Sequence, residues 1–172
     1  MRLSLWALAL ALAPACGGSS FDGLYRVQTY TMNQTSCAGP GDAINRGYAK
    51  FEIRNRDYFG VKIYPVYPCD DAGVCQEDND STWSLVVVER DLDKVSIEYA
   101  ESEGNSCVLR SEDKVISAGA EGEVVLQSRR LQVVLEPYDA TTCTTDNAKA
   151  KRDSMSCAGL MQLVGVRESE AR

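Results

Sequence analysis

Lys94-Val95-Ser96-Ile97-Glu98-Tyr99 alternates polar and apolar side chains without a break. A period of two puts Val95, Ile97 and Tyr99 on one face of an extended strand and Lys94, Ser96 and Glu98 on the other. Trp83, Leu85 and Val87 repeat the pattern upstream, against Ser84. Such strands bury one face and wet the other, the habit of antiparallel sheets. Outward from this stretch, short runs rich in Val, Ile, Tyr, Phe and Thr recur along the chain, separated by Gly, Asp, Asn and Ser, and helical periodicity is nearly absent. The expected fold class is all-β: one small antiparallel meander of roughly eight to nine strands. They fall near 23–32, 48–54, 60–67, 82–90, 94–100, 105–111, 123–128, 131–136 and 158–167.

Turn chemistry joins these runs into hairpins: Asn55-Arg56-Asp57 with Gly60, Asp91-Leu92-Asp93, Ser102-Glu103-Gly104-Asn105, and Ser128-Arg129-Arg130. Only Thr144 to Ser154 has helix character, with Asp146 placed to cap Asn147 to Lys151, giving one short helix before the last strand. A sheet of this size hides its edges by closing into a barrel or by splitting into a sandwich. Cysteine placement favours the barrel. Cys37 follows the first strand and Cys157 precedes the last, so antiparallel pairing of those strands brings both sulfurs to one rim. Cys69 and Cys75 bracket a compact loop, which leaves Cys107 with Cys143.

The seventh cysteine stands apart. Arg2, an apolar run from Leu3 to Ala13, and then Pro14-Ala15-Cys16 before Gly17-Gly18-Ser19-Ser20 form a signal-peptide layout, too short to span a bilayer. Ala15-Cys16 resembles a bacterial lipoprotein box, in which a small residue precedes a Cys that takes the lipid and becomes the mature N-terminus. Ala13 and Ala15 equally suit an ordinary small-x-small cleavage that would release a soluble protein. Parity separates the two: with Cys16 lipidated, six cysteines remain for three disulfides in an oxidising compartment. The expected organisation is a signal peptide over 1–15, the lipidated Cys and tether over 16–22, a disulfide-stabilised β-barrel domain over 23–167, and a disordered tail over 168–172. The resemblance implies a cell-envelope lipoprotein held to the membrane by its N-terminal lipid. The lack of Asp after Cys16 points to the outer membrane, by analogy with sorting in some Gram-negative cells.

A second resemblance concerns the domain. Gly23-Leu24-Tyr25 opens the first strand much as a Gly-x-Trp element opens lipocalin barrels, a short helix precedes the final strand as in that family, and Arg167 is the one candidate for a closing basic residue. Tyr25 stands where the family has Trp. The likeness to a lipocalin-like (calycin-type) barrel implies an internal cavity for a small apolar ligand.

Composition excludes a good deal of chemistry. The chain has no histidine, which removes Ser-His-Asp and Cys-His nucleophiles, His-ligated zinc and imidazole acid-base pairs. The spacing of Cys69 and Cys75 is not that of a zinc site, no Gly-rich phosphate loop follows a strand, and the Gly119, Gly122 region lacks the residues of a P-loop. Without Arg2 the balance is 17 basic against 25 acidic residues, a net charge near −8, which repels nucleic acid. Carboxylate pairs are the remaining catalytic resource, and no pair stands out. Asp70, Asp71, Glu77, Asp78, Asn79 and Asp80 crowd oxygen ligands into one segment, so Asp78 and Asp80 are calcium candidates, although the Gly and distant Glu of an EF-hand are missing and a solvated loop has the same composition. Tyr58, Phe59, Tyr64, Tyr67 and Trp83 gather aromatic surface. Tyr64, Tyr67 and Trp83 are candidates to line a ligand pocket or to fill an ordinary β core.

These readings converge on a non-enzymatic envelope lipoprotein that binds a small apolar ligand or an envelope partner and uses no cofactor. A structural or assembly lipoprotein with a fully packed core and a carboxylate-dependent hydrolase remain as alternatives.

Overall fold

The computed structural model describes residues 21–45, 47–59, 61–83, 87–88 and 94–169. The signal segment, Cys16, residues 17–20, the turn residues Gly60 and Asp91 to Asp93, and the Ser84–Leu85 part of the upstream alternation lie outside the described residues. The elements are β1 (Gly23–Asn33), β2 (Asp42–Ala43), β3 (Lys50–Ile53), β4 (Arg56–Tyr58), β5 (Val61–Ile63), β6 (Val66–Cys69), β7 (Val87–Val88), β8 (Lys94–Glu103), β9 (Ser106–Ala118), β10 (Glu123–Leu135), α1 (Thr145–Lys151) and β11 (Ser156–Ser169), with a 3-10 turn at Arg152–Ser154 between the last two. No helix among the described residues is long and apolar enough to cross a membrane.

All pairing is antiparallel. The main sheet runs β6-β3-β1-β11-β10-β9-β8, and a three-stranded sheet runs β4-β5-β7. The two are linked by one bent hairpin. Ile53 faces Val66 and, three residues on, Arg56 faces Ile63, so the register runs unbroken from β3–β6 into β4–β5. Pro65 sits at the bend, where it has no N–H to give the ladder and its carbonyl accepts from the Arg54 amide at 3.4 Å. The hairpin thus starts in one sheet and ends in the other.

Among the described residues the sheet does not close into the expected barrel. Neighbours follow chain order from β7 through the bent hairpin to β1, and from β1 through β11, β10 and β9 to β8, but β7 and β8 are not hydrogen-bonded to each other among the described residues.

Individual elements also differ from expectation. Ser128-Arg129-Arg130 is not a turn: β10 runs straight through it, and β9 extends well past 111. The reason is tertiary, since Arg129 pairs with Asp113 across the strand and Ser128 donates to Glu112, so a polar triplet reads as continuous strand. Glu103-Gly104-Asn105 does form a tight hairpin, with Gly104 at φ +62°. The helix is capped by Thr144, whose hydroxyl accepts from the Asn147 amide, and not by Asp146, which lies inside the first turn. The last strand runs through Ser169, into the span assigned to the tail.

Cross-strand partners divide the sheet into two faces. On the first, Ile116 faces Leu126 and Leu126 faces Leu163. This end is packed solid by Phe21, Tyr25, Tyr30, Phe51, Trp83 and their neighbours. Packing is tight enough that a Cβ on Gly165 would lie 2.6 Å from Phe51 Cζ. Tyr25 stacks on Phe51 at 5.3 Å and donates its hydroxyl proton to the Phe21 carbonyl. Its cross-strand partner Arg167 lies over its ring and donates to its hydroxyl oxygen at 2.8 Å. On the second face, Ala148 of α1 and Met155 beyond the 3-10 turn pack with Cys107 and Leu109.

Three disulfides join Cys37–Cys157, Cys69–Cys75 and Cys107–Cys143. The first ties the chain beyond the end of β1 to the start of β11, across 120 residues.

A methionine-floored cleft on the sheet

Beyond the packed end, the first face turns polar. Lys114 faces Ser128, Glu112 faces Arg130, and Arg110 faces Gln132. Nearly every charge here is met within the chain. Arg110 pairs with Glu101 and Glu103, Glu112 accepts the Ser128 hydroxyl at 2.7 Å, and the buried Lys114 reaches the Ser81 carbonyl at 3.5 Å. Arg130 is the exception, exposed and making no hydrogen bond or ion pair with a described residue.

Arg130 stands on the rim of a cleft of about 390 Å3 formed by the end of β1, the middle of β10 and the start of β11. Its floor is made by Met32, Met161 and the Ala158–Gly159 backbone, and Ser128 and Gln34 add polar edges. A local irregularity opens it. Arg130 pairs with Gly159 but the next residue, Leu131, pairs with Cys157, so Ala158 is an extra residue in β11. Such bulges bend a strand and recur beside binding sites. Gly159 matters for the same geometry, because a Cβ there would meet the Asn33 carbonyl oxygen at 3.2 Å. The Met161 sulfur accepts from the Tyr30 hydroxyl at 3.7 Å and the Met32 sulfur from the Gln34 side-chain amide at 3.2 Å.

Back to back with this cleft, on the second face, lies the most buried charge cluster. Asp113 is 3 % exposed and accepts hydrogen bonds from Ser96, Arg129 and Arg152, with Lys94 at 4.0 Å. Burial pushes its carboxyl pKa up, but the Ser96 hydroxyl and the Arg129, Arg152 and Lys94 cations outweigh that and hold it below the usual carboxylate range. Asp113, Lys94 and Arg129 line a second depression of about 490 Å3 under the Cys37 loop. Ser96 and Glu98, expected in water, are instead tied to Asp113 and to Arg152 beneath the helix.

The residues singled out from the sequence have other work. Tyr64 packs edge-on against Phe21, and Trp83 packs against Tyr30 in the core. Tyr67 lies on the edge pair β3–β6 under the guanidinium of Arg54 at 4.6 Å. Tyr64 and Tyr67 are both buried. None of the three lines the cleft. Asp80 accepts from the Tyr48 hydroxyl and the Thr82 amide, which makes it a turn-forming residue, and Asp78 is exposed. No group of three or more metal-capable side chains occurs among the described residues. The two buried carboxylates among the described residues are not a pair either: Glu52 is held by Arg54 and Asp113 by its own arginines.

Sequence reasoning missed Met32, Arg130, Ala158, Gly159 and Met161. The one signal available was the run of small residues Ser156-Cys157-Ala158-Gly159 inside a strand pattern, which marks a bulge or a close backbone approach. Comparison with known proteins finds no match, whether to a family model, a curated protein or a solved structure.

Proposed function

We propose that this chain is a non-enzymatic, lipid-anchored protein of the bacterial cell envelope whose β domain binds a small apolar ligand. The observation that carries the reading is the cleft floored by Met32 and Met161, at about 390 Å3 within the range of small-molecule sites, roughly 300–1,000 Å3. Unbranched, polarizable methionine side chains adapt to ligands of varied shape. The anchor is Cys16, the one cysteine that the three disulfides leave over. Outer-membrane residence remains part of this reading, on the absence of Asp after Cys16.

The finer reading of the domain is a calycin-like up-and-down barrel with its seam between β7 and β8. Two observations support it: strand neighbours follow chain order everywhere else around the sheet, and Arg167 of the last strand closes over Tyr25 of the first. The packed aromatic end then forms the floor of the barrel, and the cleft lies toward the opposite end.

One experiment on the native protein tests both parts. Cells labelled with a radioactive fatty acid should yield labelled wild type and unlabelled Cys16→Ser, and organic extraction of the purified wild type should release a low-mass apolar compound. Label persisting in Cys16→Ser removes the anchor, and an empty extract from protein that also fails to take up added apolar ligands removes the binding function.

A further inference from the structure

Resting on the binding reading above, the geometry points to a ligand class: we infer that the cleft takes an amphiphile with an aliphatic chain and a single anionic head, the head on the Arg130 guanidinium. The chain would lie along Met32, Met161 and the Ala158–Gly159 backbone, which supply the apolar floor. The head is assigned by charge bookkeeping on this face. Arg110 spends its guanidinium on Glu101 and Glu103, and the Glu112 carboxylate opposite Arg130 takes the Ser128 hydroxyl. Among the described residues Arg130 has no partner for its donors, and it stands at the rim of the apolar floor.

An arginine fork matches a carboxylate or a phosphate monoanion in geometry as well as charge. A dianionic head fits less well, since Glu112 stands across the strand from Arg130 and repels the second charge. The backbone supplies the reason for Arg130 pointing here. Its neighbour Arg129 alternates to the other face and is consumed by Asp113, so the strand period delivers one cation to each side of the sheet.

The test uses the full chain with 13C-labelled methionine methyl groups, titrated with decanoate, decyl methyl phosphate and decanol below their aggregation concentrations. Met155, packed under α1 on the opposite face, is the internal control. Decanoate should shift the Met32 and Met161 methyl signals and leave Met155 in place, saturating at a concentration about tenfold below decanol. Arg130→Gln should bring decanoate to the level of decanol, and Arg130→Lys should keep most of the preference. Decyl methyl phosphate, a singly charged phosphodiester, separates the sources of the head: binding equal to decanoate supports any monoanion, tighter binding supports a phospholipid-type head, and weaker binding supports a carboxylate. If decanoate and decanol saturate together in the wild type, or if Arg130→Gln keeps the preference, the anionic head is overturned while the apolar cleft stands. If no probe moves Met32 or Met161 in a folded spectrum, the inference and the binding reading fall together.

Discussion

At the scale of single residues, the most consequential side chain for stability is Asp113. A nearly fully buried carboxylate is tolerated only because Arg129, Arg152, Lys94 and Ser96 converge on it. Removing the charge strands those cations, and Asp113→Asn should cost about 1–3 kcal/mol, below the figure for fully buried pairs because the arginines are partly exposed. The pH dependence has a definite sign. The folded pKa is depressed, so the stabilisation is fully present above the unfolded value of about 3.9 and is lost as pH falls through the folded one. Thermal melts of wild type and Asp113→Asn should therefore differ most near neutrality and converge below about pH 4. A gap in melting temperature that stays constant down to pH 3 would sink this account of the site.

Among the elements, α1 is the one least able to stand alone. Seven residues fall well short of the length at which a helix is stable in water, and its burial rests mainly on Ala148. The Cys107–Cys143 bridge pins its approach to β9, closing 36 residues of chain. Replacing both cysteines by Ala should destabilise by about 3–4 kcal/mol in the chain-entropy picture. Its local signature should be fast amide exchange in α1 with β9 and β10 still protected, as expected of a small cooperative unit packed on a stable sheet. Uniform loss of protection across β9 and β10 would show that the bridge holds the sheet and not the helix. Legibility was uneven at this scale. The Lys94 to Tyr99 alternation and the Gly104 turn are local and were readable. Ser128-Arg129-Arg130 was not, because its partners Glu112 and Asp113 lie far back in the chain and only pairing makes the triplet a strand. The cleft was illegible for a related reason: a bulge is a relation between two strands, and the sequence shows only the small residues on one of them.

Across the whole molecule, β1 spans 11 residues, about 33 Å at roughly 3.3 Å per step, with Tyr25 of the packed aromatic end near its start and the cleft at its end. The Cys37–Cys157 bridge ties the chain beyond the end of β1 to the start of β11, where the cleft lies, and closes a loop of 120 residues. Converting both cysteines to Ala should lower the melting temperature by about 10 °C, since closing a loop of this size is worth about 4–5 kcal/mol in the chain-entropy model. A change of only a degree or two would mean that β1–β11 pairing already supplies the constraint.

Composition and local pattern by themselves determined that the chain is a β protein, that histidine chemistry is absent, and that six cysteines form a set apart from the seventh. These follow from residue types and from a period of two, which need no knowledge of distant neighbours. Tertiary structure alone decided that β7 and β8 are not paired among the described residues, that Arg129 and Arg130 belong to opposite faces of one long strand, and that two methionines far apart in sequence share a cleft floor. Those facts depend on register and bulges, and register is set by contacts between segments whose sequences carry no mark of each other.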